Sequence, residues 1–216
     1  MKKKLKDVTL VAIGCSKLEE TIIALNVCKH YMDFKSVKLF TQFDCTLSEV
    51  VNIRPLNYNE YNTFMVKELY QYIDTSHMLF IHPDGFILNP DAWNDEWLEY
   101  DYIGAPWWFN DDINVGNGGF TLRSLKFLKT TALDENIKPI YGQGKNVIYN
   151  GFTPEDCLLC RHYGPYLKSI GIKFAPEEVA MRFSIEPNAK YGSVWKDQFG
   201  FHNLHTDLST WKRPIL

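Results

Sequence analysis

In the segment LFIHPDGFILNP, His82 and Asp84 have the side-chain chemistry to act on a ligand, and both come directly after an apolar run, Leu79 to Ile81. That run reads as the end of a buried strand. Residues two apart on extended backbone point the same way. A carboxylate at such a position can hold a divalent cation against a ligand's phosphates, because hard cations prefer oxygen donors. Pro83, Asp84 and Gly85 are also ordinary turn chemistry, so the rest of the chain has to decide between the two readings. Gly116, Gly118 and Gly119 surround Asn117 in a loop where backbone can approach a ligand closely. The loop lacks the lysine that a nucleotide-binding P-loop places after its glycines. Trp107 and Trp108 can stack on a sugar ring or base, or else fill a core. Cys157 and Cys160 form a CxxC with no second pair after it, and the leucines beside them favour two thiols packed on a helix over a zinc or redox site.

The elements that must position these residues follow from patterning. Val8 to Ile13 is an apolar, β-branched run closed by Gly14, the signature of a strand buried on both faces. Ser16, with Glu19 three residues on, predicts a capped helix through about His30. Val37 to Thr41 reads as a second strand, Asn59 to Ile73 as a helix and Met78 to Ile81 as a third strand. This alternation predicts an α/β fold with a mixed, mainly parallel sheet flanked by helices. Ligands of such sheets bind outside the carboxyl ends of the strands, which is where His82 and Asp84 fall.

Farther along, Asp91 is placed to cap a short helix containing Trp93 and Trp97, and Tyr102 to Ala105 reads as a strand. The glycine loop is expected to end in a capped helix at about Thr121 or Arg123. Asn136 to Phe152, with Pro139, Gly142, Gly144 and Gly151, reads as a long irregular loop. Thr153 then caps a helix with Pro154 at its first position and Glu155 and Asp156 in its first turn, where the helix dipole favours acids. Pro176 to Ser184 reads as a short helix and strand. No linker or repeat divides the chain, so residues 1–216 are expected to form one domain.

Composition narrows the class. A chain of 216 residues that is 45% hydrophobic and 15% aromatic has ample material for a core and is not a disordered sequence. A formal net charge of -3 gives no global basic field for a nucleic-acid backbone, although MKKKLK is a local basic patch. The start does not read as a secretion signal, and no run of about 18 apolar residues would span a bilayer, so no integral membrane association is expected. Five scattered cysteines, an odd number, suit reduced thiols in a cytoplasm.

Taken in order, HPD at 82–84, NGG at 117–119, PED at 154–156 and FGFH at 199–202 resemble the landmarks of GT-A fold glycosyltransferases: an acidic DxD-like motif, a glycine-rich loop, an xED motif opening a helix, and a C-terminal histidine. Together with YDYIGAPW, they also resemble a small bacterial and viral family of GT-A-like domains, over most of the chain from about Val8 to His202. The resemblance implies a single GT-A-like, Rossmann-like domain. It also implies transfer of a sugar from a nucleotide-diphosphate donor, such as a UDP-sugar, to an acceptor hydroxyl with Mn2+ or Mg2+ as cofactor. Asp84 and His202 would be the metal ligands, and His82, which stands where the motif has its first acid, a second ligand or a ribose contact. Ile13, Gly14 and Cys15 would seat the nucleobase, Lys67 would face the diphosphate, and Gly118 and Gly119 with Trp107 would line the acceptor side. Asp156 would be the base of an inverting enzyme, with Glu155 as its substitute or an acceptor contact. The acceptor implied is a glycan or a hydroxylated nucleobase in DNA. Two other readings fit the same residues: a catalytically degenerate GT-A domain that binds a glycan or partner, and a sugar nucleotidyltransferase.

Overall fold

The computed structural model describes residues 2–47, 49–139 and 153–204. The first half alternates: β1 (Lys3–Ile13), α1 (Leu18–Tyr31), β2 (Met32–Thr41), β3 (Val50–Asn52), α2 (Tyr58–Thr63) and β4 (His77–Ile81). Between α2 and β4 the chain tightens and loosens, through a π turn at Phe64–Glu68 and a 3₁₀ turn at Leu69–Tyr72. Then come β5 (Tyr102–Ile103), β6 (Phe120–Ser124) and α3 (Leu125–Leu133). The last part holds a π-helical segment (Cys157–His162), α4 (Gly164–Ser169), α5 (Glu177–Phe183), β7 (Ser184–Ile185) and β8 (Gly200–Phe201).

The main sheet has six strands in the order β3-β2-β1-β4-β6-β5, with β3, β2, β1 and β4 parallel and β6 antiparallel to both neighbours. Period-two alternation divides its side chains between two apolar clusters. Leu10, Ala12, Leu79, Ile81, Phe120 and Leu122 belong to the cluster that α1 and α5 cover. Val11, Phe40, Met78, Phe80 and Tyr102 belong to the other, under the α2 π turn, α3 and the π-helical segment. Both faces are therefore buried, and each large side chain so placed contributes on the order of 1.5–3 kcal/mol. The fold is the expected mixed α/β sheet flanked by helices. Among the described residues no helix is long and apolar enough to cross a membrane, and all five cysteines are free.

Several local expectations are corrected. Phe120–Ser124 is a strand where a helix start was expected; the capping signal is real but acts later, Ser124 Oγ accepting from Phe127 N at 2.9 Å to start α3. Ser16 forms no cap: α1 begins at Leu18 with Lys17 at its N-cap and no side-chain capping bond. Trp93 and Trp97 do not share one helix: Trp93 follows a 3₁₀ turn at Pro90–Ala92 and Trp97 lies in a second at Asp95–Glu99. The strand at Tyr102 stops at Ile103. Most of the expected loop, including Gly142, Gly144 and Gly151, lies outside the described residues.

The antiparallel strand carries Arg123, among the described residues the one fully buried arginine. Arg123 is held over the rings of Tyr102 and Phe80 and donates through both terminal nitrogens to Glu155, at 2.7 and 3.0 Å. Burial opposes its charge, but Glu155 outweighs that and raises Arg123 above its ordinary pKa. Removing one partner strands the other's charge in the core. Arg123→Met is therefore expected to lower the unfolding free energy by about 3–5 kcal/mol in urea titration, and adding Glu155→Leu to recover most of that loss.

Candidate functional site

The site begins where the central ladder ends. His82 N donates to Gly119 O at 2.8 Å, one bond past the β4–β6 pairing, so His82 stands beside the glycine loop. After the turn at Pro83 and Asp84, the chain runs along residues 199–203: Asn203 N donates to Asp84 O, and Leu88 N to Phe199 O. This lacing brings His202, the residue after β8, back to the end of β4. His82, Asp84 and His202 offer ligand atoms that all lie within 4.8 Å of one another. His202 Nε2 is 3.6 Å from Asp84 Oδ1, and the two imidazole centroids are 5.3 Å apart. The sequence spacing of His82 and Asp84 suggested a pair on one strand face; instead a turn and a distant third residue complete the group.

The glycine expected to line an acceptor has a different task. A Cβ on Gly119 would lie 2.0 Å from His202 Nε2, so the histidine ring occupies the space a side chain would need. Gly118 is likewise bare against Glu155 Oε1, at 2.6 Å from such a Cβ. Its N–H donates to Asp156 Oδ2 at 2.8 Å, and Cys157 N donates to Asp156 Oδ1 at 2.7 Å.

The electrostatics separate the two histidines. Burial, and after it the neighbouring charge of His202, hold His82 far below the ordinary histidine range, at about 3. Its Nε2 is hydrogen-bonded to the Tyr61 hydroxyl at 2.9 Å. Burial also pulls His202 down, but Glu186, then Asp84 and Asp156, outweigh it and leave that ring above its ordinary value. His82 is thus a neutral imidazole with a lone pair to offer.

Beside this group, a cleft of about 420 Å³ opens past the carboxyl ends of β1 and β4, lined by Ile13, Cys15, Lys17, Tyr58, Tyr61 and Asp84 among others. Ile13 and Cys15 stand where a nucleobase seat was expected, whereas Gly14 is tied into the sheet, its N–H donating to Phe40 O and its carbonyl accepting from Thr41 Oγ1. A separate cavity of about 360 Å³ is lined by Asp111, Asp112, Asn114, Lys168 and Glu177 among others; Arg161 pairs with Asp111, Asn114 Nδ2 donates to Glu177 and Lys168 donates to Asp112 O, while Asn114 Oδ1 is buried without a hydrogen-bond partner among the described residues.

Three expected roles are corrected. Lys67 does not face the cleft; its ammonium donates to the carbonyls of Thr131, Ala132 and Asp134 at 3.0–3.3 Å and closes the C-terminal end of α3. Glu155 is 3% exposed with both oxygens on Arg123, so it is no stand-in base. Trp107 is buried against Gly116 and belongs to the core, while Trp108 is 49% exposed. In place of Lys67 the cleft has Lys17, whose ammonium is unpaired among the described residues and whose charge reaches His82. Lys17, Tyr61 and Glu186 escaped the sequence reading. Glu186 follows an expected strand just as Asp84 does, and that signal could have found it.

Residues 49–202 match the family described as Protein of unknown function (DUF5672). The chain belongs to that family. The matched stretch holds all the cluster residues and Asp156 but not β1. No curated protein matches the chain at a significant level. Among solved structures, it is similar to the apo-form glycosyltransferase GlyE of Streptococcus pneumoniae TIGR4, with 11% identity and a TM-score of 0.47 over 96% of this chain. The chain spans 55% of the length of that structure.

Two substitutions check the placements. Gly119→Ala puts a methyl into the His202 ring and is expected to displace it, costing about 1–3 kcal/mol in denaturant unfolding with a shift of the His202 imidazole signals in NMR. Lys67→Ala is expected to cost about 1 kcal/mol of stability, the value of a cation at a helix C-terminus, read by the same unfolding experiment.

Proposed function

We propose that the domain transfers a sugar from a nucleotide-diphosphate donor to an acceptor hydroxyl, with a divalent cation held by His82, Asp84 and His202. The observation that carries this reading is the convergence of those three side chains beside a cleft at the carboxyl ends of parallel strands, the place where α/β sheets bind ligands. The order of the HPD, NGG, PED and FGFH motifs, which resembles GT-A glycosyltransferases, supports it. The donor set fits a cation: one carboxylate, one neutral imidazole, and a second imidazole whose Nε2 faces the carboxylate. Two nitrogen donors in three favour Mn2+ over Mg2+.

A bound divalent ion at this group supplies positive charge that stabilises a departing diphosphate. The chain's own residues do the rest. Lys17 offers the cleft's unpaired ammonium to the same phosphates, and Ile13, Cys15 and Tyr58 form the wall for the nucleoside. Asp156 takes the acceptor's proton as the acceptor oxygen bonds to the anomeric carbon and the bond from that carbon to the diphosphate oxygen breaks. Each Asp156 oxygen accepts one backbone N–H and keeps a second lone pair. Its contact with Gly118, the neighbour of the Gly119 against which His202 packs, supports this role.

Thermal unfolding with UDP, GDP, CDP and their sugar conjugates, with and without Mn2+, tests the reading. A nucleotide at 100 times its dissociation constant is expected to add about 2.7 kcal/mol, only with metal, and Asp84→Asn is expected to remove the effect. Lys17→Ala should weaken nucleotide binding without removing its metal dependence. No stabilisation by any nucleotide would instead favour a domain that binds a glycan or partner without catalysis. For turnover, Asp156→Asn is expected to lower the rate by about two to four orders of magnitude while nucleotide binding persists; wild-type turnover would remove Asp156 from the mechanism.

A further inference from the structure

We infer that Glu186 is a positioning residue: by accepting the His202 Nδ1–H, it fixes the ring so that the Nε2 lone pair faces Asp84, and it thereby sets the affinity of the His82–Asp84–His202 group for a divalent cation. The inference rests on reading that group as a cation site and adds to it a residue that no motif of the chain assigns.

The backbone brings the two side chains together by construction. In the parallel ribbon of β7 and β8, Ser184 pairs with Gly200 and Ile185 with Phe201. Glu186 and His202 are the next residues on each strand, and His202 N donates to Ile185 O at 2.9 Å. At that shared step the side chains meet, His202 Nδ1 donating to Glu186 Oε1 at 3.2 Å. Asn188 Nδ2 donates to the Glu186 carbonyl at 3.0 Å and holds the strand end from which the carboxylate projects. Among the described residues the Glu186 carboxylate has no hydrogen-bond partner other than His202.

The bond is not needed to hold the ring in its plane. His202 is already packed into the space left bare at Gly119 and touches the region of Gly85. Packing alone, however, does not distinguish the ring from its flipped form, in which carbon and nitrogen exchange places. A carboxylate on one edge does: it accepts only from the edge that carries Nδ1–H, which leaves Nε2 on the other edge, 3.6 Å from Asp84 Oδ1. A carboxylate that orients a ligating histidine in this way typically changes metal affinity about 10–100-fold when removed. Tyr61 bonds His82 Nε2, so both imidazoles of the group are gripped on one nitrogen.

Mn2+ titration of the full chain by calorimetry, without nucleotide, tests this in the wild type, Glu186→Ala and Glu186→Gln. The alanine variant is expected to bind Mn2+ about 10–100-fold more weakly, with its metal-free unfolding temperature close to that of the wild type. The glutamine variant keeps an oxygen to accept the Nδ1–H and is expected to recover most of the affinity. A purely structural role would move the unfolding temperature and leave Mn2+ affinity untouched. Wild-type affinity in the alanine variant, or a glutamine variant as weak as alanine, would overturn the role of Glu186 and leave the cation group standing. Absence of Mn2+ binding by the wild type would overturn both.

Discussion

The buried pair of Arg123 and Glu155 is the interaction on which the site's geometry depends. Arg123 comes from the strand that runs against the others, and Glu155 from the turn opening the π-helical segment; Glu155 N in turn accepts its place from α2, donating to Asn62 Oδ1 at 2.7 Å. Three segments distant in sequence therefore meet at one residue, Arg123 on its carboxylate and Asn62 on its backbone N–H. A buried ion pair adds little net stability, because desolvation offsets most of its attraction. It does penalise every arrangement in which either charge is left alone, and this makes it a register pin. With Glu155 pinned, the next residue, Asp156, can only face Gly118, and the two bonds it accepts tie the glycine loop to the helix start.

The pin also explains why PED contains two acids with different fates. Adjacent residues at a helix start point in different directions, so the fold can bury one in the core and leave the other only partly buried. Sequence alone gives both the same first-turn explanation. What separates them is an arginine 32 residues earlier, on a strand whose Thr-Leu-Arg-Ser pattern also permits a helix start.

Much of the fold was legible because burial on both faces leaves a plain mark: the apolar runs at Val8 to Ile13 and Met78 to Ile81 are the two central strands. The long alternation of strand and helix was likewise visible. The antiparallel β6 was not, since a charged residue in a five-residue strand looks like a surface position until its partner is known. Of the candidate site, the members of the converging group, His82, Asp84 and His202, were legible as positions, from a strand end and motif order. Lys67 was misread because a helical lysine looks alike whether it faces a ligand or the carbonyl end of another helix. Lys17 was missed for the converse reason: the capping pattern at Ser16 and Glu19 drew attention away from the residue that occupies the N-cap.

Two-residue strands are poor stabilisers, yet the β7–β8 ribbon places the histidine on which the cluster depends. Its stiffness comes from beneath. Phe183 and Phe199, which flank the ribbon, stack with Trp97 and Phe120, and Trp93 closes on Trp97 and Phe199; Phe201 packs edge-on against Phe86 at 4.7 Å. Such ring pairs add about 0.5–1.5 kcal/mol each beyond the area they bury, far more than the ribbon's few backbone bonds. Trp93 and Trp97 thus support from the core the ribbon that carries His202, whereas of the two sugar-stacking candidates Trp107 is buried and Trp108 is exposed. A site built this way puts three of its side chains one step past the end of a buried strand, His82 after β4, Glu186 after β7 and His202 after β8. The backbone there is still fixed by its ladder, while the side chain is already free of the core, and that combination lets a histidine and an acid hold a set geometry without being sealed away from a ligand.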